Sequence, residues 1–205
     1  MSKMTRWTWS TPTGQRKLQS VADHVFWSYT LLSVTREIMV RMKAGQPNPF
    51  PNGRTKETNI RMSRYQRGLL NIRDLERDQA LAEDGIRVCA HCGSHAPRYH
   101  RDHLIPRSRL GSVVLMGNVV RACPACNLSR GNRDLMIWHH DNETFPSLGI
   151  LRRYLKICYF HARDQGRLDQ PAAAAVTEGL PFDPRAFPRR FPPVNELVWD
   201  HAWPN

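Results

Sequence analysis

Two cysteine pairs, Cys89-x-x-Cys92 and Cys123-x-x-Cys126, constrain this chain more than any other feature. A CxxC turn folds the backbone so that two thiolates reach one side of a common ion. Two such turns close a tetrahedron, with Zn–S bonds of about 2.3 Å. Four thiolates leave no open coordination position, so the spacing predicts a structural zinc site with no chemistry at that ion. His91 and His95 are near enough in sequence to replace a thiolate. Cys158 falls outside the pattern and reads as core packing. Metal of this kind supplies on the order of 10 kcal/mol of folding free energy, which matters where the flanking segments bury little apolar surface.

Around this centre the chain divides into three expected regions: a basic helical stretch over 1–85, the cysteine-framed unit over 86–140, and a helix with a Pro-rich tail over 141–205. Residues 1–19, with Trp7, Trp9 and Pro12, read as an irregular arm. The spacing of Val21, Val25, Leu32 and Met39 predicts an amphipathic helix from Ser20 to about Ala44, stopped by Gly45. Three prolines with Asn52 and Gly53 make 46–55 a loop. A second helix is expected over 59–83, stopped by Gly85. Strands are expected over 98–105 and 113–122, joined by the loop 106–112, then a helix from Pro124 to about Trp138 and another over 147–163. Pro171, Pro181, Pro184, Pro188, Pro192, Pro193 and Pro204 exclude long regular elements from the tail, which should wrap the body or meet a partner. One helical turn is expected at 172–176.

Charge narrows the function classes. The net charge is +12, and residues 1–80 carry 14 Lys/Arg against 6 Asp/Glu. Residues 81–140 carry 8 against 4, while 141–205 are balanced at 8 against 8. A basic excess concentrated in the first two thirds suits a polyanion, because it displaces counterions from a phosphate backbone. No run reaches the roughly 18 apolar residues of a membrane span, and residues 1–17 lack the apolar core of a secretory signal. A cytoplasmic protein is therefore expected, where paired thiols favour metal over disulfide.

Between and beside the cysteine pairs stand Asp102-His103-x-x-Pro106, Asn118 and Asn127-x-x-Arg130-Gly131-Asn132. This order, inside the cysteine frame, resembles the HNH endonucleases, also called ββα-metal nucleases. The resemblance covers about residues 87–135. It implies an α+β fold: a mainly helical protein around a central ββα-metal unit with two zinc knuckles. It also implies a metal-dependent endonuclease acting on double-stranded DNA, with a bacterial or phage defence or restriction complex as the expected protein context.

By that resemblance His103 is the first letter of the motif, Asn118 the middle one and Asn127 the last. The residue types suit the chemistry. Phosphodiester hydrolysis needs an activated water and neutralisation of developing negative charge. Asp102 and Asn127 offer the oxygen ligands that Mg²⁺ or Mn²⁺ prefers, and an imidazole at His103 can take the water's proton. Other roles stay open: Asp102 as the partner of Arg101 or Arg107, Asn118 as a turn residue, and Asn127 as a helix cap. Arg107, Arg109, Arg121, Arg130 and Arg133 are the candidate phosphate contacts, Arg107 and Arg130 foremost. The competing class is a zinc-containing nucleic-acid-binding module, or a subunit of a larger assembly, that does not cut.

Overall fold

The computed structural model describes residues 17–73, 75 and 87–201. Helix α1 (Val21–Lys43) starts at a capping box: Ser20 Oγ accepts from Asp23 N at 3.1 Å, while the Asp23 carboxylate accepts from Ser20 N at 3.2 Å. These two bonds satisfy amide donors that the first helical turn cannot. The helix is not simply amphipathic, as its spacing suggested. From Val21 to Thr35 it is buried almost all round. The Pro-rich tail covers one of its sides, where Trp27 Nε1 donates to Arg189 O at 3.0 Å and Ser28 Oγ to Pro188 O at 2.6 Å.

Helix α2 (Arg54–Gln66) begins inside the expected loop, directly after Gly53, whose φ of +90° favours glycine. It ends well before residue 83, and residues 69–73 are not helical. Residues 74 and 76–83 of that expected helix, and Gly85 after it, lie outside the described residues, as does the 1–16 part of the N-terminal arm. Arg61 on α2 pairs with Glu37 of α1 at 2.8 Å and with Glu57 at 2.6 Å. It is an internal tie between helices.

The centre is a two-stranded antiparallel sheet, β1 (His100–His103) and β2 (Val119–Ala122), with Asp102 opposite Val120 and His103 opposite Val119. Both strands are shorter than expected. Val114 is 92% exposed, so its β-branched run finds no apolar surface to pack on. The loop between the strands contains a helical turn, α3 (Arg107–Leu110). The expected helix from Pro124 to Trp138 is two helices: α4 (Pro124–Arg130) and α5 (Leu135–Asp141). Gly131, with φ of +52°, ends the first. Asp134 caps the second, accepting from Met136 N at 2.8 Å.

Helix α6 (Leu148–Asp164) carries Leu148, Leu151, Leu155 and Cys158 into the core, as read from sequence. The tail adds α7 (Ala172–Thr177) and two 3-10 turns, Pro184–Ala186 and Val194–Glu196. Its aromatic residues Phe182, Phe187 and Phe191 are buried, each contributing roughly 1.5–3 kcal/mol of transfer free energy. One apolar cluster joins α1, the segment after β1, α5, α6 and the tail, so the three stretches recognised in the sequence share a core. Among the described residues no helix is long and apolar enough to cross a membrane.

Burial inside this core, with Arg189 nearby, lowers the His24 pKa from 6.5 to about 4. Its Nδ1 has no hydrogen-bond partner among the described residues. As pH falls below 6.5 the unfolded chain binds a proton that the folded chain refuses, so stability falls through the window from 6.5 to about 4. Urea unfolding should show His24→Leu retaining about 2 kcal/mol more of its stability than wild type on going from pH 7.5 to 5. Equal losses would contradict a neutral buried His24.

Candidate active site

The two knuckles meet at one point. Cys89, Cys92, Cys123 and Cys126 present sulfurs that all lie within 4.8 Å of one another. The Cys92 and Cys123 sulfurs are 3.9 Å apart, close to the roughly 3.8 Å edge of a tetrahedron with 2.3 Å metal–sulfur bonds. Ala90 N donates to Arg121 O at 2.8 Å, which anchors the first knuckle to β2. Gly93 turns it at φ of +73°; a Cβ there would meet the His201 ring at 2.6 Å. Cys123 doubles as the cap of α4, its sulfur accepting from Cys126 N at 3.4 Å.

Ionisation in the cluster is uneven. Desolvation raises Cys92, but hydrogen bonds from Ser94 outweigh it and bring the thiol to about 7. Desolvation, followed by the neighbouring Cys123 thiol, pushes Cys126 up. The cluster thus fits a thiophilic tetrahedral ion. His91 and His95 take no place in this cluster.

The His91 ring points to Asp102 instead, with Nε2 at 2.7 Å from Oδ2. Asp102 is 5% exposed. Arg130 Nε donates to the same Oδ2 at 2.8 Å, and Arg130 Nη2 donates to Oδ1 at 2.7 Å. Burial alone would raise the Asp102 pKa, yet the bonds from His91 and Arg130 hold it below its usual value. A carboxylate offers about four acceptor directions. Three are taken here, leaving one on Oδ1. The expected open ligand is a largely engaged one.

Arg130 needs a plain correction. It was expected on phosphate, but it is 1% exposed and faces inward. Besides Asp102, it donates to the carbonyls of His103 and of Arg133. The opposite charge and two backbone carbonyls satisfy its planar fork, which explains why an arginine is tolerated so deep.

His103 ends β1 and is half-buried. Desolvation first, then Arg107, Arg101 and Arg130, lower its pKa against the opposing pull of Asp102. It is therefore neutral at pH 7 and able to accept a proton. Asn118 is buried and clamps the chain just beyond: its Oδ1 accepts from Ile105 N at 2.8 Å and its Nδ2 donates to Ile105 O at 2.9 Å. Leu104 N adds a bond to Asn118 O at 2.8 Å. Asn127, on α4, is half-buried with Nδ2 at 3.2 Å from His100 Nδ1. Its Oδ1 has no partner among the described residues. Arg107 and Arg109 are exposed, Arg109 touching Asn132 O at 3.3 Å. Arg121 is half-buried on β2, and Arg133 leans to Asp141 at 3.5 Å.

Residues 89–133, which form this thiol-framed hairpin and the helix after it, match a known family: HNH endonuclease. The chain carries an HNH domain. CRISPR-associated endonuclease Cas9 of Corynebacterium diphtheriae is 37% identical over 67 residues, which cover 32% of this chain and 6% of that protein. The Cas9 of Actinomyces naeslundii is 34% identical over 74 residues, covering 35% of this chain and 6% of its own. The chain thus spans a small fraction of the curated relatives it matches. No solved structure matches it.

Within the HNH domain, two residues escaped the sequence reading. His91 was considered only as a thiol substitute, and His100 was left without a role. The i, i+2 spacing of His100 and Asp102 places both on one face of a strand, a signal available in the sequence once β1 is placed.

The purified chain should hold one metal ion per molecule by elemental analysis, and Cys89→Ser should lose it together with the folded centre. Affinity for that ion should fall as pH drops, because protons compete for Cys126 already above neutrality and for Cys92 below about 7. A metal-loaded Cys89→Ser protein would contradict the four-sulfur site. Separately, Arg130→Met should cost about 3–5 kcal/mol of stability in urea unfolding, because it strands a buried carboxylate. A change within 1 kcal/mol would mean the ion pair is not built as described.

Proposed function

We propose that this chain is a metal-dependent endonuclease that hydrolyses phosphodiester bonds of double-stranded DNA through its HNH domain. One observation carries the reading: a neutral, solvent-reachable imidazole at His103 stands on a strand end clamped on the inside by Asn118 and Arg130. His103 accepts the proton of the attacking water. Asn118 holds the backbone that sets the ring's direction. Asn127 Oδ1 and the remaining acceptor of Asp102 would hold a divalent cation, Mg²⁺ or Mn²⁺. When bound, that ion neutralises charge developing on the phosphate. Arg107 and Arg109, exposed beside His103 in sequence, with Arg121 and Arg133, meet neighbouring phosphates.

The four-cysteine site takes zinc, since four thiolates at tetrahedral spacing suit that ion best in a reducing compartment. Residues 1–85 supply a basic helical region for backbone contact, 86–140 the nuclease unit and 141–205 the covering tail. The likeness to Cas9 proteins supports a place in a bacterial or phage defence or restriction complex, acting in the cytoplasm with a protein partner.

A second reading draws on one specific observation. The bond between Asp102 and Arg130 offsets the negative charge that would attract a cation, as in a zinc-containing module that binds nucleic acid without cutting. Plasmid cleavage separates the two. Wild type with Mg²⁺ or Mn²⁺ should nick or linearise DNA, EDTA should abolish it, and His103→Ala should slow it by roughly 10²–10⁴-fold. Equal DNA binding by both proteins with no cleavage by either, any partner supplied, would leave the binding module.

A further inference from the structure

Strand β1 and helix α4 face each other through two parallel rungs. Asp102 reaches Arg130, and two residues earlier on the same strand face His100 reaches Asn127, three residues earlier on the same helix face. The first rung is an ion pair. The second is a single contact, Asn127 Nδ2 to His100 Nδ1 at 3.2 Å. An amide nitrogen only donates, so this contact requires the His100 tautomer whose Nδ1 accepts and whose proton is on Nε2. With Nδ2 held inward, Asn127 is left with Oδ1 as its outward atom.

A free asparagine amide presents nitrogen and oxygen with little preference, and only the oxygen can ligate a hard cation. We propose that His100 is a positioning residue for metal binding, fixing the Asn127 amide so that its oxygen faces the cation. Outer-shell partners of this kind typically alter metal affinity by 10–100-fold when removed. With three of the four acceptor directions of Asp102 already taken, the direction of Asn127 Oδ1 weighs heavily in this weak site. This inference rests on the nuclease reading only in placing a divalent cation at Asn127.

The test is Mn²⁺ binding by the full zinc-loaded chain, followed by electron paramagnetic resonance with and without a short DNA duplex. His100→Ala should weaken binding 10–100-fold, with zinc content and thermal midpoint unchanged. His100→Asn places an acceptor oxygen where Nδ1 stood and should recover affinity to within about threefold. His100→Gln places its oxygen near the former Nε2 and should not. Wild-type affinity in His100→Ala, equal impairment in His100→Asn, or no Mn²⁺ binding by the wild type in either condition would each overturn the proposal.

Should His100→Ala fail to fold, nitrogen-15 histidine spectra of the wild type decide. A bare Nδ1 at His100 agrees with the proposal and a protonated Nδ1 overturns it. A wild type whose Mn²⁺ affinity depends on His100 and Asn127 but that never cuts DNA defeats the nuclease reading alone. Cleavage with Mn²⁺ affinity indifferent to His100 defeats this inference alone.

Discussion

The buried pair between Asp102 and Arg130 is the constraint on which the rest of the centre depends. Both partners are nearly excluded from water, so neither charge is stable there without the other. The guanidinium answers both carboxylate oxygens and then the carbonyl of His103, so a single side chain on α4 fixes the end of β1. His91 approaches the same carboxylate from the first knuckle. A helix, a strand and the first cysteine turn are thereby joined through one carboxylate.

The knuckles and the ion pair divide the labour. Sulfur ligands bring Cys89 and Cys123 together and so anchor the knuckle-side ends of the hairpin. They say nothing about rotation of the helix relative to the strand. The two rungs set that rotation, and Asn118 then holds the chain beyond His103 against Ile105. What remains free at the surface is chemically selective: a neutral imidazole, an amide oxygen and exposed arginines. The covering helices and tail give this small unit the apolar support that four-residue strands cannot generate alone.

Legibility in the sequence followed the range of the interactions. The cysteine pairs and the order strand, strand, helix of the centre are written within a few residues, and both appear in the structure. Asn118 was visible as a candidate through the resemblance, and its clamp on Ile105 spans only a short stretch of chain. Arg130 was misread because its burial depends on how α4 rolls against β1, which no local pattern encodes. The same holds for the break between α4 and α5: Gly131 gave a local hint, but Asp134 Oδ2 accepts from the Tyr154 hydroxyl of α6 at 2.7 Å. The full burial of α1 likewise depends on a tail more than 120 residues away in sequence. Prolines identified that tail as irregular without indicating that it would seal a helix.

The most direct examination is a crystal structure of the full chain with duplex DNA and Mn²⁺. Arg130 is predicted to stay on Asp102, with the His103 ring turned to a water in line with a phosphate and Asn127 Oδ1 on the ion. Arg130 withdrawn from Asp102 onto the DNA backbone, or His103 turned away from the phosphate, would contradict the account.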